Sequence, residues 1–536
     1  MRSWSSAKRT GLLAATLVVT SIGVQTATKA ATPPDTLVIA AAIDDIISLD
    51  PGSALEVTSG EILGNTYDRL VRLNKQDPSK LDPDIAESWK ISDDGKTYTF
   101  KLKPGLVFAS GNPLTAEDVA FSIKRTVVLA KSPAFQLLQL GLNKTNVDQL
   151  AKAMPDGTFS LTVDKPYASG FVLNCLSVNA AAVVDKKLAM QNEKDGDFGN
   201  GWVQTHYAGS GPMKLRDWRA NEVVVLERNE KYYGQKSKLA RVIYRHVKES
   251  STQRLMIETG DVDIARNLEP GDLDAIAKSP KVKLQSELNG TLYSISFNMH
   301  NPKLAKPEVI QAFKYLLDYD SVGKTLIKGI GEIHQDFLPV GLPGATGEKP
   351  YKLNVEKAKE LLAKAGYPEG FNVTFDVRNT QPVTGIAESF QQTAAQAGIK
   401  IDIIPGDGKQ TLSKYRVHKH DIYIGEWSLK YWDPHANADA FVYSPDPGED
   451  AKFKTLAWRN GFFDPEMNAL VEAAMLERDQ SKRIEMYHKM LADFRAKSPI
   501  MVVYQMKETA AVANNVKGFS LGPVPYTNFV YTATKG

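Results

Sequence analysis

The chain has 536 residues, 43% of them hydrophobic and 24% charged, with a formal net charge of +3. Such a composition is that of an ordinary globular protein, and the length exceeds one hydrophobic core, predicting about three structural units. The charge balance gives no ground for a nucleic-acid or anionic-membrane partner: Arg2, Lys8, Arg9 and Lys29 stand in the first thirty residues without an acid, and the remainder carries −1.

Those thirty residues read as a secretory signal: the basic start MRSWSSAKRT, the apolar run GLLAATLVVTSIGV, and small residues before a cut near Ala30. The apolar part is too short to anchor the chain in a membrane. The single cysteine, Cys175, lies in the apolar run FVLNCLSVNAAAVV, so no intrachain disulfide can form, and it reads as a buried structural thiol. No cysteine lies at the end of the signal, which argues against a lipoprotein. A protein released into the periplasm of a two-membraned bacterium fits these features.

Beyond the signal, strands and helices alternate. SDDGKTYTFKLKPG sets Tyr98, Phe100 and Leu102 on one face of a strand after an Asp-Asp-Gly turn. NPLTAEDVAFSIKRTV opens a helix with Thr115 as N-cap and Asp118 near a capping-box position. NVEKAKELLAKAGYPEG is a helix capped by Asn354 and stopped by Gly366 and Pro368. The strand FNVTFDV, the helix through AESFQQTAAQAG and the strands IKIDIIP and HDIYIGEW follow, forming an α/β unit whose strand carboxyl ends should carry a site.

The segment AESWKISDDGKTYTFKLKPGLVFASGNPLTAEDVAFSIKR resembles the signature of the family 5 extracellular solute-binding proteins, the peptide, nickel and opine receptors of ABC importers. The resemblance continues through GSGPMKLRDW, VVLERNEKYYG, QRLMIETGDVDIA, SISFNMHNP, AFKYLLDYDSVGKTLIKG and FDPEMNALVEAA, covering nearly the whole chain after the signal. It implies a large two-lobed α/β periplasmic-binding-protein fold with the ligand cleft between lobes. Residues 31–297 would form the first lobe, with an inserted subdomain at about 71–205; residues 298–505 would form the second, and 506–536 a tail returning to the first. The resemblance also implies a monomer that closes on its solute and docks on an inner-membrane permease.

Enzyme signatures are weak. VGKT at 322–325 lacks the earlier glycine of a phosphate-binding loop, its place being taken by Asp318, and neither GxSxG nor HExxH occurs. No motif calls for a cofactor. Metal binding stays open as a second alternative: His418 and His420 are spaced for one face of a strand, and His435 could add a ligand from the cleft, although the eight histidines show no tight cluster.

The loop GEWSLKYWDPHANADAF carries the sharpest expectation. In the peptide-binding branch of the family, an acid three residues before Asp-Pro grips the peptide amino terminus; aligning on Asp433-Pro434 puts Lys430 there. An ammonium facing an ammonium is repulsive, so the anchor is inverted toward an acidic ligand. Arg378, near the arginine that some dipeptide receptors use for a carboxylate, would add a second cation. Trp427, Tyr431 and Trp432 would wall the ligand, with Asp433, His435 and Asn298 as further cleft candidates and Ser53–Thr58 and Gly209–Gly211 as weaker ones. A structural reading stands beside this one: Lys430 could pair with Glu426 or Asp433, and one tryptophan could belong to the core. The expected function is a periplasmic receptor for a small organic solute with an acidic group, opine-like or a modified amino-acid conjugate. A short-peptide receptor, a nickel or metal-chelate receptor, and a periplasmic enzyme or chaperone are the alternatives.

Overall fold

Most of the strands join one mixed sheet of eleven. In the computed structural model, which describes residues 32–74, 76–451 and 454–536, the path runs Lys400–Gly406, Asn372–Arg378, Ile422–Ser428, Val282–Phe297, Ile500–Ala513, Ile264–Ala265, Thr36–Ala41, Arg241–His246, Val223–Arg228 and Met213–Arg219, with Gly331–Ile333 added on Ile500–Ala513. The signal segment expected at residues 1–30 lies outside the described residues.

Two long antiparallel strands tie the halves of the sheet together. Val282 stands opposite Ala513 at one end and Ser296 opposite Ile500 at the other, and the register shifts between Leu288 and Leu292. Before the shift, Val282 packs with Val38, Val262 and Ala511 in the first lobe. After it, Ile295 and Phe297 pack with Phe313, Phe390 and Ile422 in the second. The chain therefore crosses between lobes at Asn289–Thr291 rather than after Phe297. The physical reason is pairing: Thr291–Phe297 already ladders with Ile422–Ser428, so Phe297 is interior to the second lobe.

The local elements follow their sequence signals. Tyr98 and Phe100 are buried on the strand Thr97–Leu102. The helix Ala116–Leu129 starts with the Thr115 amide donating to Asp118 at 2.9 Å. Asn354 accepts from the Lys357 amide at 2.9 Å, and Gly366 takes φ +85° just past that helix. The parallel strands Asn372–Arg378, Lys400–Gly406 and Ile422–Ser428, with the helices Val383–Ala395 and Gly408–Arg416, make the expected α/β unit.

A separate four-stranded sheet, Ala86–Ile91, Thr97–Leu102, Phe159–Thr162 and Ala151–Ala153, falls within the span expected for an inserted subdomain. Its core does not close on itself. Tyr98, Phe171 and Cys175 share one cluster with Tyr431, Trp432, Phe441 and Phe494, so the subdomain and the second half of the second lobe have a common interior. Cys175 is fully buried, as read, and receives a hydrogen bond from Gln139 Nε2 at 3.2 Å.

At the crossing, the Leu429 amide donates to the Gly290 carbonyl at 3.0 Å. A Cβ at position 290 would lie 2.6 Å from Leu429 Cβ and 3.3 Å from Trp432 Cζ3. Gly290→Ala should therefore push Leu429 aside and destabilise the protein by about 1–3 kcal/mol, the cost of overpacking. Denaturant unfolding of the variant against the parent measures it; an unchanged midpoint would mean that the crossing yields freely.

Candidate ligand cleft

A cavity of about 570 Å³ opens where the crossing strands, both lobes and the C-terminal tail meet. That size suits a pocket that buries most of a small organic molecule. The loop and helix start at Ala54–Thr58 line one side, and Glu426, Ser428, Leu429 and Lys430 line another. Tyr293 and Tyr504, stacked with centroids 4.5 Å apart and planes within 7°, present a flat aromatic wall.

The floor is charged. Arg266 bonds Glu61 at 2.9 Å and also pairs with Glu508. The Tyr244 hydroxyl donates to Glu61 at 2.8 Å, and Asn528 Nδ2 donates to Glu61 at 3.0 Å and Glu508 at 3.2 Å. Two carboxylates against one guanidinium leave this cluster with a net negative charge, and they hold the Arg266 guanidinium above its ordinary pKa despite its burial. Glu56, Glu269 and Glu426 add further carboxylates, whereas the other cations of the lining are Lys430 and Lys507. Lys507 is paired with Glu332.

Lys430 is the cation left over. Among the described residues, no carboxylate lies within ion-pair distance of its Nζ, which sits 5.8 Å from the centre of the Trp427 ring. Burial pushes its pKa down, and the field of Glu426 pulls it partly back. Its backbone is fixed from the first lobe: Gln136 Nε2 donates to the Lys430 carbonyl at 2.7 Å. Both partners assigned to Lys430 by the structural reading are therefore out of contact, although Glu426 is felt through space.

Strand alternation sorts the rest of this segment. Glu426 pairs across to Tyr293 and Ser428 to Thr291, both cavity residues, while Trp427 pairs to Leu292, which is in the core. Trp427 is thus turned toward the shared core instead of walling the ligand, though it supports Lys430 from behind. Glu426, read at first only as a possible partner for Lys430, lines the cavity. The signal for it was present: counting back in twos from Lys430 gives Ser428 and Glu426.

The profile of the bacterial extracellular solute-binding proteins, family 5 Middle, matches residues 80–449, more than half of the chain. The chain is a family 5 extracellular solute-binding protein. It is a solute-binding receptor of an ABC importer, in a family of receptors rather than enzymes. A probable D,D-dipeptide-binding periplasmic protein of Escherichia coli K12 is 27% identical over 502 residues, spanning 92% of this chain and 93% of the relative. Among solved structures, the periplasmic binding protein DppA of Helicobacter pylori in complex with the peptide STSA superposes with a TM-score of 0.76 at 24% identity, covering 93% of this chain and 98% of that one. The binding protein AgaA in complex with agropinic acid, from A. tumefaciens R10, superposes at 0.72 with 23% identity, covering 94% and 99%. These structures share the two-lobed fold.

Several candidate residues of this family 5 protein do not reach the cavity. Tyr431 and Trp432 are each 2% exposed: Tyr431 donates to Gln139 Oε1 at 3.2 Å and meets Phe171 edge-on at 5.9 Å, and Trp432 closes over Gly290 and Gly341. Asp433 is consumed in a buried two-pronged pair with Arg483, at 2.7 and 2.8 Å. His435 packs edge-on against Phe171 at 5.0 Å. These four belong to the interior shared by the lobes, because direct packing between protein surfaces buries them where a ligand wall was expected. Asn298 is also structural, donating to the carbonyls of His418 and His420 at 2.9 and 2.8 Å. Arg378 is exposed at a separate surface recess with Asp407 and Gly408, so the expected second cation is missing from the cavity lining. His420 is buried and not part of a solvated turn, its Nε2 paired with Asn460 at 3.1 Å. Gly209 and Gly211 serve close approach to Thr66, where a Cβ would meet backbone at 2.7 and 2.4 Å. Ala54–Thr58, by contrast, does line the cavity.

Asp433→Ala strips the partner from a charge that stays buried, so it should destabilise by about 3–5 kcal/mol in denaturant unfolding. A loss under 1 kcal/mol would show that Arg483 finds water or another acceptor.

Burial holds His334, His420 and His435 neutral down to a pKa of about 4. The unfolded chain takes up these protons near the ordinary 6.5 and the folded chain only near 4, so their contribution to stability is lost as pH falls through that window. Asp336 and Asp439, raised by burial to about 6, act in the opposite sense between about 6 and 4. The contribution of one histidine is isolated by substitution: His435→Gln should lose on the order of 2–3 kcal/mol less than the parent on going from pH 7 to pH 4. Parallel slopes of unfolding free energy against pH would rule out a neutral buried His435.

Proposed function

We propose that this receptor captures a small organic solute through an acidic group held by Lys430, buries it by lobe closure, and hands it to an inner-membrane permease. The observation that carries this is the unpaired Lys430 ammonium on the lining of the cavity where the two lobes meet. An anion brought to it gains a charge-assisted hydrogen bond where water is scarce. The stacked tyrosines Tyr293 and Tyr504 offer the carbon skeleton a flat apolar surface. The agropinic-acid complex of a protein with the same fold and the dipeptide-binding name of the Escherichia coli relative are both compatible with a solute of this size. Export to the periplasm through the basic and apolar first thirty residues, and action as a monomer, complete the proposal.

A short peptide is the second reading, and the surplus of carboxylates on the lining favours it, since a peptide brings an ammonium as well as a carboxylate. A metal or metal chelate has less support. Among the described residues no three metal-binding side chains converge, and His435 is packed in the interior.

Thermal unfolding against di- and tripeptides, acidic opine-like conjugates, and nickel with and without a chelator tests the proposal. Ligand at a hundred times its Kd stabilises by about 2.7 kcal/mol, which for a chain of this length moves Tm by roughly 2–3 °C. The expected result is a shift with carboxylate-bearing solutes that disappears in Lys430→Glu. A shift that survives Lys430→Glu would remove Lys430 from recognition.

A further inference from the structure

Lys430 does not face the cavity alone. Glu426 precedes it by four residues on the same segment, is exposed, and also lines the cavity. The two are near enough for the carboxylate to act on the ammonium through space, yet they form no ion pair. Opposite charges on flexible side chains normally close on each other unless something holds them apart. Here both are held. The Glu426 carboxylate stands beside the Tyr293 hydroxyl, whose ring is stacked on Tyr504. The Lys430 chain starts from a carbonyl fixed by Gln136 and lies toward the Trp427 ring.

We infer that Glu426 and Lys430 form a clamp for an amino-acid head group, with the solute's ammonium on Glu426 and the carboxylate borne by the same carbon on Lys430. This rests on the assignment of Lys430 given above and adds the substrate class. Both protein charges come from one segment and line one cavity, so a single solute group that bears both complementary charges can meet them together. That describes a free α-amino acid head and differs from a peptide, whose ammonium and carboxylate stand at opposite ends. Head plus clamp is neutral in total, which a solute carrying a carboxylate alone does not achieve beside Glu426. The body of the solute extends along the tyrosine wall toward Leu55 and Val57.

The test uses the full mature chain and three probes that share the head and differ in body: γ-glutamylalanine, Nε-acetyllysine and S-hexylcysteine. For the tightest of them, calorimetric Kd values are compared with those of its α-N-acetyl derivative and its α-carboxamide, in the parent, Glu426→Gln and Lys430→Gln. Unfolding midpoints of the variants without ligand check that each is folded, and Glu426→Asp and Lys430→Arg serve as conservative controls. The expected result is a loss of about tenfold or more on N-acetylation in the parent, with no further loss on N-acetylation in Glu426→Gln. Amidation and Lys430→Gln should behave as the matching pair. If N-acetylation costs nothing, or costs the same in Glu426→Gln, the head-group clamp is overturned while the Lys430 assignment stands. If amidation and Lys430→Gln are without effect, both are overturned. Failure of all three probes to bind overturns the clamp.

Discussion

The antiparallel pair Val282–Phe297 and Ile500–Ala513 is the constraint on which the molecule is built. Buried backbone amides and carbonyls must find partners, and this ladder supplies them continuously from the first lobe into the second. Its longer irregularity, between Leu288 and Leu292, falls where the lobes part, and a second follows between Tyr293 and Ser294. The cavity opens beside that break, because an interrupted ladder is the place where the sheet can diverge without orphaning a run of peptide groups. Tyr293 and Tyr504, which form the aromatic wall, are residues of these same strands.

A second tie comes from side chains. The region around the four-stranded sheet shares its core with Tyr431, Trp432, Phe441 and Phe494 from the other lobe. Burial of each large aromatic contributes on the order of 2–3 kcal/mol. The buried Asp433–Arg483 pair adds direction more than strength, fixing how the Tyr431–His435 loop leaves its strand. The scaffold therefore reaches within one residue of Lys430, and the cation is presented from a rigid support.

Much of this was legible in the residues. Periodicity and caps located the helices starting after Thr115 and Asn354, and the run of apolar strands from 372 to 428 announced a parallel unit. The offset to Asp433-Pro434 singled out Lys430, and that residue does line the cavity. What could not be read was which aromatics face which way. Tyr431 and Trp432 have the composition of a ligand wall, and only the opposing Phe171, some 260 residues away in the chain, makes them core. Arg378 failed for a similar reason: it ends its strand, but that strand lies one place further from the crossing than Ile422–Ser428, and the side chain opens to solvent. Crossing at 289–291 was hidden because the apolar alternation of Leu292–Phe297 carries no mark of a lobe boundary.

The pleat of Ile422–Ser428 and its continuation divide labour residue by residue. Trp427, Tyr431 and Trp432 hold the fold, whereas Glu426, Ser428 and Lys430 line the cavity. Descendants of such a chain can exchange those three residues one at a time while the packed aromatics between them stay in place. A duplicated copy would then drift from one cargo to another along a path on which every intermediate still folds and still closes.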